Sequence, residues 1–179
     1  MAKTFDGIDD ALSAWLSEQP VFFVATAPLA ADGHVNLSPR GLDSFSVLGP
    51  HRVAWVDRTG SGVETIAHLR ENGRIVLMFC AFTGPPKIVR LHGRGRVCLP
   101  GSPEYDDVTA RHVDSVGTRA VIVVDLHRVS DTCGYGVPLM ELVGERDQLD
   151  RWAAAKGPEG LAAYRAEKNA VSLDGLPAL

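Results

Sequence analysis

The spacing of apolar positions changes period several times along the chain, and each change marks an element. Ile8, Leu12, Trp15 and Leu16 recur at helical spacing, so a first helix is expected, capped by Asp6 and ended by Pro20. Residues 21–26 are a continuous apolar run of strand length. Asp32-Gly33 signals a hairpin, and residues 34–38 alternate polar and apolar as a half-buried strand does. Strands are also expected over 45–48, 53–56 and 75–79, and over 87–98, where Ile88, Arg90, His92, Arg94 and Arg96 face one way. Ser102-Pro103-Glu104 opens a short polar helix, and 120–126 is the strongest strand pattern. Two helical segments, 139–156 and 158–169, are separated by Gly157, and 171–177 reads as an extended tail. About six strands joined by short turns, with one helix inserted midway and helices at both ends, predict a small β-barrel carrying helices.

The stretch from Asp57 to Phe82 organises the rest. It reads as a strand end, a Gly60-Ser61-Gly62 turn, a short helix, an Asn72-Gly73 stop and a buried strand. A glycine-rich turn feeding a helix N-terminus is where anions such as phosphate bind. The competing reading is a capping box, in which Ser61 and Glu64 satisfy the helix's own amides and Glu64 repels a phosphate. No Lys-Ser or Lys-Thr follows the glycines, so this is not a P-loop, and the third glycine of a dinucleotide fingerprint is absent.

Composition narrows the function classes. A net charge of -4 leaves no basic footprint for nucleic acid. No apolar run approaches the roughly 18 residues of a membrane span, and the start leads directly into a helix, so neither a signal peptide nor a membrane partner is expected and the location is read as cytoplasmic. Cys80, Cys98 and Cys133 form no CxxC pair, which suits a reducing compartment; the first two sit in apolar strand runs and are read as core. The histidines fall at no metal-ligand spacing, so no metal site is expected.

The order of elements over about residues 12–129 resembles the pyridoxamine 5'-phosphate oxidase-like family of FMN-binding split barrels. The likeness is carried by Asp32-Gly33-His34-Val35-Asn36-Leu37-Ser38-Pro39-Arg40-Gly41, the strand from Val53 to Asp57, Leu69-Arg70-Glu71-Asn72-Gly73-Arg74-Ile75-Val76-Leu77, and Arg90-Leu91-His92-Gly93-Arg94-Gly95-Arg96-Val97. It implies an α+β, mainly β fold: a six-stranded split barrel over about 20–130 with a helical extension over about 137–179, in one domain. It also implies a homodimer with FMN at the interface, acting on a small molecule. The oxidases proper open the mid-chain helix with Ser-Arg-Lys, where this chain has Val63-Glu64-Thr65. A position often Gln falls near Ile88, and the C-terminal Arg-x-His has no counterpart. Pyridoxamine phosphate oxidation itself is therefore not expected. The closer likeness is to an uncharacterised flavin-nucleotide-binding branch, some of whose members share Cys-Gly-Tyr-Gly-Val-Pro and Lys-Asn-Ala-Val-Ser-Leu-Asp-Gly-Leu-Pro.

With the helix-opening cations missing, Arg40 is the expected phosphate anchor, between Pro39 and the flexible Gly41. Ser38, Ser61 and Thr65 offer hydroxyls and Gly62 an amide. Lys87 and Arg90 either reach the same phosphate or are surface charges. Trp55 reads as core or as a ring against the flavin, and Asp57 as an acceptor for a flavin N–H or a cap for the next turn. The loop with Cys133 and Tyr135 either covers a cofactor or is a compact turn. The implied activity is a flavin-dependent oxidoreductase; a flavin or haem carrier or sensor, and a deazaflavin-dependent reductase, stand as alternatives.

Overall fold

The computed structural model describes residues 3–113 and 116–179. Its strands are β1 Lys3–Phe5, β2 Val21–Thr26, β3 Asn36–Gly41, β4 Phe45–Gly49, β5 Arg52–Arg58, β6 Arg74–Cys80, β7 Ile88–Cys98 and β8 Thr118–Thr132. The helices are α1 Asp10–Ser17, α2 Glu64–Glu71, α3 Pro103–Thr109 and α4 Gln148–Lys168. All eight strands form one antiparallel sheet in the order β3-β2-β6-β7-β8-β5-β4, with β1 added alongside β8. Strands β3 and β4 end this path on opposite sides, yet only Leu42, Asp43 and Ser44 separate them in the chain. A flat sheet would hold them about 29 Å apart, at roughly 4.8 Å per strand. The link reaches no more than about 14 Å. The sheet therefore curls until its edges approach, and the fold is a split barrel.

The barrel interior is filled by the inward-facing residues of its strands, among them Phe22, Val24, Trp55, Leu77, Phe79, Leu91 and Ile122. Phe22 stacks on Phe79 with centroids 5.2 Å apart, and Phe45 meets Phe79 edge-on at 4.9 Å. A smaller cluster on the outer face joins Ala54, Val56, Cys98, Val121 and Val123 beneath Val108 of α3. Strands β5 and β8 are thus covered on both sides, which is why they read as unbroken apolar runs rather than alternating ones. Cys80 is buried as well.

Several sequence expectations change. The structure has eight strands where about six were expected; β1 is the strand that was not anticipated, being too short to carry a periodic signal. The cap of α1 is Asp9, which accepts from the Leu12 amide at 2.7 Å; Asp6 lies too far upstream, because the Ile8 amide is held by the Pro50 carbonyl at 2.8 Å. Residues 139–147 are not helical. Their apolar side chains face outward, Val143 being 98% exposed, so no packing stabilises a helix there. Helix α4 begins at Gln148 and breaks at Gly157, whose φ of 65° is open to glycine. The Cys133–Pro138 loop is a turn packed on the Lys87 backbone, with Cys133 and Tyr135 exposed.

The tail is folded back rather than extended. Ser172 donates to the Leu176 carbonyl and Gly175 to the Ser172 carbonyl, both at 2.9 Å, and Ala178 is buried in the main core. This loop is fastened to the hairpin before β3: Asp174 Oδ1 lies 2.6 Å from His34 Nδ1, and Asp174 Oδ2 accepts from the His34 amide at 2.8 Å. The Asp174 hydrogen bond raises the His34 pKa, and His34 in turn lowers that of Asp174. His34 thus contributes stability fully below its ordinary value of 6.5, lost as pH rises through the raised folded value. Asp174 contributes above its ordinary value of 3.8, lost as pH falls through the depressed one. The latch holds between those limits and loosens on the alkaline side. An NMR titration of the His34 ring is expected to give a midpoint above 6.5 in the parent, and a lower midpoint in Asp174→Asn than in the parent.

Candidate functional site

The turn between β5 and α2 is held from behind by two side chains that come from distant parts of the chain. Arg119, near the start of β8, donates Nε to Asp57 Oδ2 at 2.7 Å, Nη1 to Asn169 Oδ1 at 2.9 Å and Nη2 to the Gly62 carbonyl at 2.9 Å. Asn169, just after α4, donates to the Gly60 carbonyl at 3.0 Å and the Ser61 carbonyl at 3.4 Å. Asp57 and Asn169 are both fully buried, and the Arg119 side chain is 2% exposed. Arg165 braces the same turn through Thr59 Oγ1 at 2.9 Å and the Thr118 carbonyl at 3.0 Å; burial and the neighbouring Arg119 charge push its pKa down.

This arrangement sets the direction of the turn's amides. The carbonyls of Gly60, Ser61 and Gly62 all point back toward Arg119 and Asn169, and their peptides are trans. The N–H groups of Ser61, Gly62 and Val63 therefore point the opposite way. Consecutive amides turned to one side at a helix start form an anion-binding concavity. Ser61 and Gly62 line a cavity of ≈ 260 Å³ whose charged lining is Arg40, Arg58, Arg119 and Glu64.

Arg40 reaches this cavity from β3. Its Nη2 lies 3.3 Å from Asp57 Oδ1, while its buried Nε has no protein partner. Asp57 is thus flanked by two guanidiniums, one on each oxygen. Arg58 is tied to Asp150 at 2.5 Å. Glu64 does not cap α2: the cap position is Val63, without a side-chain bond, so the Ser61–Glu64 capping box does not form. The helix begins at Glu64 itself, and Glu64 Oε1 instead accepts from the Leu173 amide of the tail at 3.4 Å. A Cβ at Gly62 would meet Glu64 Oε2 at 2.7 Å, a contact the flexible end of the Glu64 side chain can relieve by moving.

A partly buried polar chain supports the cavity from the β3 side. Asn36 donates to Thr65 Oγ1 at 3.1 Å and Thr26 Oγ1 at 3.3 Å, and accepts from Ser38 at 2.9 Å. Thr26 meets His68 Nδ1 at 2.9 Å, and burial lowers the His68 pKa, keeping the ring neutral near pH 7. The consequence for the cavity is specific. The Thr65 hydroxyl receives a bond and so retains its proton to donate outward, whereas the Ser38 proton is engaged by Asn36.

The structure therefore brings Ser38, Pro39, Arg40, Ser61, Gly62, Glu64 and Thr65 to one cavity. Pro39, Arg40 and Gly41 also border a second, larger cavity of ≈ 720 Å³, with Phe82, Met140 and Leu142 on its other side. Arg40 belongs to both. Trp55 is fully buried in the barrel core against Phe22, so its ring faces neither cavity. Asp57 does not line the cavity: its Oδ2 accepts from Arg119, and its buried Oδ1, 3.3 Å from Arg40 Nη2, has no hydrogen-bond partner. Lys87 and Arg90 are elsewhere: Lys87 Nζ sits 4.6 Å over the Trp15 ring, and Arg90 bonds Thr132 at 3.0 Å. Among the described residues, no group of three or more His, Cys, Asp or Glu is placed to hold a metal, and no helix is long and apolar enough to cross a membrane.

Sequence reasoning missed Arg119, Arg58, Arg165 and Asn169. One signal was present for Arg119: it opens the most apolar strand, in phase with Val121 and Val123, where a buried cation requires a carboxylate. Asn169 gave none beyond its place in the Lys168-Asn169-Ala170-Val171 segment.

Comparison with known proteins agrees with this architecture. The family model described as pyridoxamine 5'-phosphate oxidase matches residues 8–133. A curated relative from Aspergillus flavus, the pyridoxamine 5'-phosphate oxidase family protein ustO, is 43% identical over 98% of this chain and 77% of its own length. Among solved structures, HupZ of Group A Streptococcus superposes with a TM-score of 0.55 at 18% identity, covering 68% of this chain and 91% of that one. A candidate pyridoxamine 5'-phosphate oxidase from Lactobacillus delbrueckii gives 0.53 at 17% identity, covering 71% and 98%. Both structural likenesses speak to the fold alone. The curled sheet, the length of the family match and the identity to the fungal relative lead to one conclusion: this chain belongs to the pyridoxamine 5'-phosphate oxidase family.

Proposed function

We propose that this protein binds FMN, with the phosphate in the cavity under the β5–α2 turn, and acts as a flavin-dependent oxidoreductase on a small molecule. The observation that carries the reading is the buried, unpartnered Nε of Arg40, in a cavity also lined by the glycine-rich turn at Gly60, Ser61 and Gly62. A guanidinium with a free donor, held on a carboxylate at 3.3 Å, suits a bidentate phosphate contact. Thr65 adds an oriented hydroxyl. Three arginines line the cavity, which offsets the missing Arg-Lys at the helix start. The larger, mostly apolar cavity that shares Pro39 and Arg40 has room for a ring system. When bound, FMN supplies the redox chemistry. The protein's own groups bind its anionic end, orient it and exclude water. A second copy of the chain is proposed as the partner that completes the site, in keeping with the exposed apolar side chains Val35 and Leu37 before and on β3.

The visible spectrum of the purified protein, with mass spectrometry of whatever is released on denaturation, is the first test. A flavin spectrum and released FMN are expected; haem or a deazaflavin instead would replace the cofactor named here. Turnover of the reduced flavin with an acceptor separates an enzyme from a carrier.

Arg40→Ala is expected to cost about 2–3 kcal/mol of FMN affinity, roughly 30- to 150-fold, while riboflavin binds parent and variant alike. Paired titrations check this, and equal losses for both ligands would remove Arg40 from the phosphate. Arg119→Met is expected to act differently. It strips the buried Asp57 of its closer cation and frees the turn, so urea unfolding of the ligand-free protein should show a loss of about 3–5 kcal/mol. Light scattering at micromolar concentration should return twice the chain mass; a flavin-loaded monomer would contradict the shared-interface site.

A further inference from the structure

A second constellation lies away from the phosphate cavity, where α1, the β3–β4 link and the end of α3 meet. Ser46 of β4 places its Oγ 2.7 Å from His112 Nε2, and His112 Nδ1 lies 3.2 Å from Asp43 Oδ1. These are a nucleophile, a base and an orienting carboxylate in the sequence of contacts that acyl transfer uses. The His112 side chain is 5% exposed, so its ring is fixed rather than free on the surface. The three residues line a cavity of ≈ 380 Å³ floored by Leu16, Phe22 and Phe45, with Ser17 and Gln19 at its rim.

Two further observations single out this place. Leu42, next to Asp43, has φ 60°, the one non-glycine residue with positive φ among the described residues. A leucine in that conformation is strained, a cost the surrounding structure imposes on the link that carries Asp43. The second concerns the strand edge. The Ser44 carbonyl accepts from the Val56 amide at 2.9 Å, and Ser46 pairs with Ala54. By antiparallel alternation the Ser46 backbone faces β5, so the N–H of Val47 points away from it, on the open edge of the sheet. That donor follows the nucleophile directly in sequence, the position from which a backbone amide stabilises an oxyanion.

We propose that Ser46, His112 and Asp43 form a hydrolytic site for small carboxylic esters, separate from the flavin reading and independent of it. Ser46 Oγ forms a bond to the ester carbonyl carbon while its proton passes to His112 Nε2. The carbonyl π electrons move to oxygen, facing the Val47 N–H. Collapse breaks the carbon–alkoxy bond, and the alkoxide leaves with the proton from His112. Water then attacks the acyl carbon, gives its proton to His112, and the acid departs as that proton returns to Ser46 Oγ. No oxidant or reductant enters. Asp43 accepts from Nδ1–H and holds the tautomer that leaves Nε2 free to receive the serine proton; at 66% side-chain exposure its contribution is screened by water. The small cavity favours short acyl groups.

The test uses the full chain and a fluorophosphonate probe, with the adduct located by peptide mass spectrometry. One adduct per chain on Ser46 is expected, with none in Ser46→Ala. His112→Ala should slow labelling by at least about 100-fold, and Asp43→Asn by about 10-fold. The rate of p-nitrophenyl acetate hydrolysis should fall in the same order, while FMN affinity is unchanged in Ser46→Ala, which keeps this site distinct from the phosphate cavity. His112→Gln, which retains a polar side chain, guards against a variant that fails to fold. An unlabelled Ser46 in the folded parent, or hydrolysis equal in parent and Ser46→Ala, would overturn the proposal.

Discussion

The buried pair between Asp57 and Arg119 is the contact on which the site depends. Neither charge has access to water, so each is tolerable only because the other is 2.7 Å away and the remaining guanidinium protons find Asn169 and two turn carbonyls. The pair does more than neutralise itself. By taking the carbonyls of the Gly60–Gly62 turn, Arg119 fixes which side of that turn carries its amides. By sharing Asp57 with Arg40, it leaves a second guanidinium at the cavity with a donor to spare. Positive charge thereby lines the cavity without the helix-opening cations of the family's oxidases.

Much of the fold was legible because it rests on short-range patterns. The strand at 75–79 and the strand at 120–126 announced themselves through apolar runs, and α3 through Ser102-Pro103, which the structure realises as a cap 3.4 Å from the Tyr105 amide. What failed was structure whose stability is tertiary. Residues 139–147 have the composition of a helix but no surface to pack on, and β1 exists only because the far end of β8 offers it a partner. The capping box at Ser61–Glu64 has the right spacing, yet Arg119 and Asn169 hold the turn open and the tail takes Glu64 instead. Within the candidate site, Ser61, Gly62 and Thr65 were readable from the local glycine-rich turn and helix start, and Arg40 from the family resemblance of residues 32–41. Arg119 and Asn169 act across gaps of 57 and 109 residues, which no local period encodes.

The Ser46–His112–Asp43 cluster illustrates the same limit from the other side. Ser46 and His112 are 66 residues apart, and no spacing rule joins them. They meet because the barrel's edges must approach, which forces Leu42–Ser44 into a tight link beneath the end of α3. A topological constraint on the sheet thus created a chemical neighbourhood.

Asn169 carries one more consequence. Its side chain grips the turn that shapes the cavity, and its backbone carbonyl receives the Leu179 amide at 3.1 Å. One residue thus fastens two segments, its side chain holding the turn and its backbone carbonyl holding the end of the tail loop. Asn169 ties a wall of the cavity to residues 170–179, none of which lines it.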